Sequence, residues 1–322
     1  MSAEPTAMSK SQTSPRQPLK KLMIILGKEP VWELLHHHAR TVWAHLRQPR
    51  GVSGTLIWPP TRYLRAYMSR SLSHQARRQI VLSQAAHLDA RVHRSFFREI
   101  AHPRAALWRF AQERCCSIWL VANQGRHLEG DFDLVFQLDG MAIYALSFSI
   151  GPSPANPPAD RPAMLVGRVQ GERGHFDDIR LATKVLKDIS PAALLVSAAE
   201  GIALALNLTQ ICGVGGCEQL AHLKAGADYF DYDEFWEALS GRRIRDWYVF
   251  DAPFPHKPPS GTAAHHRRRA RRKRVFRDAV REEVRATFVE RFVRQEPPRA
   301  EASALAAPFG LRELDLSAGL EA

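Results

Sequence analysis

The sequence predicts an α/β (α+β) fold with a helical N-terminal region, a mixed but mainly antiparallel sheet flanked by helices, and a basic C-terminal helix. Three observations predict it. Apolar spacing is helical over 63–100 and changes to strand-like alternation from Ser117 onward. Residues 161–223 read as a strand, turn, helix, helix, strand unit. Arginine and lysine then fill seven of the eight positions 267–274, ahead of an apolar stripe at helical spacing.

Residues 1–18 are rich in Ser, Thr, Pro and Gln and are expected to form a flexible arm. Residues 19–60 are expected as a helical segment and linker, with His36, His37, His38 and His45 on a solvated helix surface rather than on a metal. One α/β domain is expected over 61–260, then a basic helical tail over 261–295 and a flexible end over 296–322. Inside the domain, Leu64, Tyr67, Met68, Leu72, then Ile80, Leu82, Ala85, Ala86 and Val92 recur at intervals suited to one apolar face of a helical region in two or three pieces. Strands follow at 117–122, 128–138 and 141–150, the last two joined at Asp139-Gly140, a hairpin signal because both residues tolerate positive φ. Five prolines between 152 and 162 exclude helix and central strand there.

The central unit begins with the apolar run 163–169 and empties into the turn Gln170, Gly171, Glu172, Arg173, Gly174. Asp177 and Asp178 favour the positive end of a following helix, whose apolar face is Ile179, Leu181, Ala182, Val185 and Leu186. Ser190 can cap a second helix, Pro191 suits its first position, and Asn207 suits its left-handed close. Residues 210–214 then form a buried strand. A short helix over 218–224, the aromatic-rich motif stretch 229–239 and a last strand at 247–250 complete the domain.

The motifs LVGRVQG, IRLATK, SPAALLVSAAEGIALAL and YDEFWEALSG, in that order, resemble the VirK/YbjX family of Gram-negative bacteria, over about 63–274. The resemblance implies a cytoplasmic factor linked to virulence, envelope or stress response, with no settled reaction. It also matches His87 to a family histidine, Glu129 to Asp131 to an acidic position, and 267–274 to a basic segment. Near Val214 the chain departs from the family, with Gly215, Gly216 and Cys217 where a serine and a downstream histidine are usual.

Lys and Arg number 45 against 33 Asp and Glu, a net charge of +12, and 262–294 alone holds twelve basic and four acidic residues. Arg267, Arg268, Arg269, Arg271, Arg272, Lys273 and Arg274 are therefore expected to bind a polyanion: an anionic membrane surface, a nucleic acid or an acidic protein. Cys115, Cys116, Cys212 and Cys217 lack zinc-site spacing and are expected as reduced thiols in the cytoplasm. No apolar run approaches the roughly 20 residues of a membrane helix, so any membrane contact is expected to be peripheral, at the inner face.

A glycine-containing turn between strand and helix can offer backbone amides to a phosphate. Gln170, Gly171, Arg173 and Gly174, with Arg168, Arg180 and Lys184 adding charge, are the candidate ligand-binding set, although the turn carries neither a Walker nor a dinucleotide pattern. A meander, a central strand, a turn at a helix start and a further strand is also the order of an acyl-coenzyme A acyltransferase. Two expectations stand side by side: a cofactor-free factor acting through the basic tail, and an acyltransferase with acyl-coenzyme A as cofactor. For the second, His87, His175, Glu200 and His222 are the acid–base candidates. Glu200, in an otherwise apolar helix, is expected either at a wet edge or paired with Arg180 or Lys184. Tyr229, Phe230, Tyr232, Phe235 and Trp236 are expected to seal the core beside the sheet.

Overall fold

The computed structural model describes residues 58, 62–123, 128–154, 162–220, 230–255 and 264–294. The expected N-terminal arm, the histidines 36–38 and 45, His222 and the 296–322 end lie outside these residues. Among the described residues, eight strands form one sheet: β1 (Trp108–Ala111), β2 (Cys115–Ala122), β3 (Phe132–Leu138), β4 (Met141–Pro152), β5 (Pro162–Gly171), β6 (Gln210–Val214), β7 (Arg242–Ile244) and β8 (Trp247–Asp251). Their order is β1-β2-β3-β4-β5-β6-β8-β7, antiparallel throughout except for β5 and β6. The helices are α1 (His74–Arg91), α2 (Ser95–Ala101), α3 (Phe176–Val185), α4 (Pro191–Ala205), α5 (Tyr232–Ala238) and α6 (Ala264–Phe292). The α/β fold with flanking helices is the one the sequence predicts.

Period-two alternation gives the sheet two apolar faces. Met164, Val166 and Ile211 join the cluster that holds α2, α4 and α6, whereas Ala163, Leu165 and Cys212 join the one that holds Tyr63, Tyr67 and part of α1. The predicted punctuation is in place. Asp139 and Gly140 take φ of 50° and 84° at the β3–β4 hairpin, and Asn207 takes 57° after α4. The Ser190 hydroxyl accepts from the Ala193 amide, with Pro191 as the first residue of α4.

Four features depart from the expectations. Residues 63–72 do not join the helix; Arg62–Leu64 is a single 3-10 turn, and Met68, at φ 64°, donates its amide to the Leu128 carbonyl. Their apolar side chains are spaced for packing on the sheet, not for a helix. Two short edge strands, β1 and β7, were too brief to leave a period. Strand β3 begins at Phe132 rather than 128, because 128–131 crosses over the β4–β5 backbone. A Cβ on Gly130 would lie 2.5 Å from the Phe148 amide nitrogen, and one on Gly167 would lie 2.0 Å from the Glu129 carbonyl oxygen, so glycine alone permits the crossing. Finally, α6 is no separate tail: Val280, Val284, Phe288 and Phe292 belong to the main core.

Candidate functional site

The turn that ends β5 holds the candidate ligand-binding residues. Gln170 and Gly171 remain in the ladder, opposite Ala145 and Tyr144, and the Glu172 amide donates to the Ile143 carbonyl. A Cβ at Gly171 would lie 2.7 Å from Ile179 Cδ1 and 3.2 Å from the Tyr144 ring, so side chains close over the residue expected to be open. Gly174 bends the chain at φ 87° with open space beside it. Arg168 is occupied, with Nε 3.2 Å from Gln170 Oε1 and Nη2 3.5 Å from Glu172 Oε1. The first turn of α3 bears Asp177 and Asp178, and Arg180 reaches back to Asp177 at 4.0 Å. Negative charge at this helix start opposes a phosphate. Arg173 and Lys184 are exposed.

The acid–base candidates each have a separate partner. His87 Nε2 lies 3.0 Å from the Leu206 carbonyl at the end of α4, and burial holds its pKa below the usual histidine value, so the neutral ring donates there. His175 precedes α3 and sets Nδ1 2.8 Å from Asp178 Oδ2. Glu200 does not reach Arg180 or Lys184. Instead Oε1 accepts from the Phe254 amide at 2.7 Å and from Arg281 Nη1 at 3.4 Å, joining α4 to α6. Desolvation raises the Glu200 pKa, with the Phe254 amide and Arg281 pulling the other way. Trp236 is sealed over Gly213, its Nε1 donating to the Val214 carbonyl at 3.0 Å, and Tyr232 Oη accepts from the Val169 amide at 3.1 Å. Tyr232 and Trp236 are in the main core with Phe230 and Phe235 packed against it, as expected, and Tyr229 lies outside the described residues.

The basic run occupies the first turns of α6. At 3.6 residues per turn, Arg267, Arg268, Arg271 and Arg272 share the face opposite Val280 and Val284. All four arginines are exposed and both valines are buried. One half of the helix is held in the core while the other carries its charge outward. Arg269 and Lys273 lie on the same side of the helix as Val280 and Val284, towards its start, where Arg269 Nη2 meets Asp188 Oδ2 at 2.6 Å and Lys273 Nζ donates to the Asp188 carbonyl at 2.5 Å. Arg274 is half-buried.

The family described as Protein of unknown function (DUF535) matches residues 43–286. The chain belongs to this family. No curated protein and no solved structure matches it. The DUF535 match takes in the whole basic run together with the core residues Val280 and Val284, so the charged helix is part of the family domain.

Two features of this DUF535 chain escape sequence reasoning. Asp131, in the acidic stretch that the resemblance marks, is 2% exposed at the centre of a buried polar network. Its Oδ2 accepts from Arg62 Nη2 at 2.7 Å and Gln84 Nε2 at 2.5 Å, while its backbone amide donates to Ser149 Oγ, which also bonds Tyr67 Oη. Separately, a pocket of about 430 Å³ is lined by Trp119, Val121, Asp133, Val135 and α2 residues, none of them a predicted site residue. Among the described residues, no group of three or more His, Cys, Asp or Glu is placed to hold a metal, and no helix is long and apolar enough to cross a membrane.

Proposed function

We propose that this chain is a phosphate-binding factor that engages a nucleic acid through the exposed arginine face of α6. The observation that carries the reading is the placement of Arg267, Arg268, Arg271 and Arg272 opposite a buried apolar stripe. A rigid, anchored helix keeps these charges together without the entropic cost of ordering a loose tail. Six of the seven basic residues in 267–274 are arginine, whose planar fork suits bidentate contact with phosphate oxygens. A membrane surface is less favoured. An interfacial helix needs apolar area to bury, and here the apolar stripe is already consumed by the core. The motif likeness to the VirK/YbjX family adds a setting: a cytoplasmic factor in virulence, envelope or stress response.

The test uses the full chain, a labelled DNA duplex and low salt. Replacing Arg267, Arg268, Arg271 and Arg272 together by Gln should weaken binding at least about tenfold. Unchanged affinity removes the reading, and binding to anionic phospholipid vesicles but not to DNA transfers it to a membrane.

A second reading, an acyl-coenzyme A-dependent acyltransferase, is favoured by one observation. Strands β5 and β6 run parallel but pair only over Met164–Val166 with 211–213, and β5 continues to Gly171 without β6 beside it. Such a divergence is a place for an extended ligand, although Tyr232 Oη already accepts from the Val169 amide there. The acidic first turn of α3 argues against pyrophosphate at Gln170 to Gly174, so this reading stands second. Acetyl-coenzyme A should raise the melting temperature if it is right. No shift at millimolar ligand would remove it.

A further inference from the structure

Two consecutive non-glycine residues, Lys187 and Asp188, take φ of 57° and 64° between α3 and α4. Left-handed backbone at two adjacent side-chain-bearing residues is unfavourable unless something holds it. What the bend accomplishes is visible in its contacts. It turns Asp188 towards the start of α6, where the carboxylate meets Arg269 and the carbonyl oxygen meets Lys273. Hydrogen bonding from Arg269 and the charges of Arg269, Lys273 and Arg272 hold the Asp188 carboxyl below the usual range. One anionic group thus sits among three cations at the edge of the arginine face.

We infer that Arg269, Arg272 and Lys273 form a phosphate-binding niche that Asp188 occupies in the free protein, and that a phosphodiester of the bound nucleic acid displaces it. The inference rests on the nucleic-acid reading above and adds to it a specific subsite and an internal competitor. The geometry suits exchange. Arg269 and Asp188 are both more than half exposed, so the contact is solvent-screened and weak, while a phosphate offers more acceptor oxygens to the same donors. Arg272 belongs to both the niche and the exposed face, which makes the two surfaces continuous.

Asp188→Asn tests this on the full chain, because asparagine also tolerates left-handed backbone and keeps the carbonyl for Lys273. Asp177→Asn, on exposed α3, makes the same change in net charge away from the niche. Binding to the labelled duplex is followed from low to moderate salt. Asp188→Asn should tighten binding about fivefold at the wild-type slope of log affinity against log salt, because the same phosphates are contacted and no carboxylate has to be displaced. Asp177→Asn should leave the affinity nearly unchanged. Wild-type binding with no change in Asp188→Asn would overturn the niche and leave the arginine face standing. Equal tightening in both variants would also overturn it, as an effect of net charge. Binding by Asp188→Asn where the wild type fails would support the displaced competitor; failure of both proteins to bind would remove the niche and the nucleic-acid reading together.

Discussion

Asp131 illustrates what individual residues contribute here. A carboxylate this deeply buried is tolerable only because Arg62 and Gln84 donate to it, and Arg62 in turn lies over the Trp58 and Tyr67 rings. Removing its charge strands a buried guanidinium. Asp131→Asn should therefore lower unfolding stability by about 3–5 kcal/mol in urea titration, and a loss below about 1 kcal/mol would show that the pair does not hold the segment. By contrast, the Arg114–Asp139 pair at the β3–β4 hairpin is solvent-exposed, and its removal should be felt far less. The sequence marks Asp139 through its turn chemistry, which is local. Asp131 and Arg62 stand 69 positions apart, and a contact at that distance leaves no periodic trace. The same holds for Asp188, whose role depends on where α6 passes.

Among the elements, α6 is the one whose two halves act differently. Its apolar spacing every four residues and its arginine run are both legible in the chain, so a helix with a buried stripe follows from physics. How closely it approaches α4 does not. A Cβ at Gly201 would stand 2.4 Å from the Arg281 carbonyl oxygen, so the backbones meet where glycine leaves room. Two effects then compete in Gly201→Ala. Helix propensity alone would stabilise by about 1 kcal/mol, whereas forcing the helices apart should cost about 1–3 kcal/mol. Thermal unfolding should show a lower midpoint; an increase would mean that α6 yields without loss. The displaced helix would also strain the Glu200–Arg281 contact, the pairing that sequence reading assigned to Arg180 or Lys184.

For the whole molecule, the antiparallel meander and the single parallel step at β5–β6 come from connectivity: tight hairpins make antiparallel neighbours, and a two-helix crossover makes a parallel one. That much of the fold is readable before any coordinates. Edge strands β1 and β7 are not, because three or four residues carry no alternation to detect. The candidate site divides in the same way. Charge density in 267–274 survives as an exposed surface, while in the glycine turn at 170–174, attractive as a pattern, Gly171 lies against Ile179 and Tyr144 and the helix start that follows bears acids. Net charge of +12 then becomes a surface with a direction, concentrated where α6 leaves the core.

A face that meets phosphates releases counterions from the nucleic acid, so its binding must depend on salt. With the full chain and a labelled duplex, log affinity should fall linearly with log salt, and converting Arg267, Arg268, Arg271 and Arg272 to Gln should flatten the slope by about three to four. A slope near zero in the wild type, or an equal slope in the variant, would contradict phosphate contact by this face.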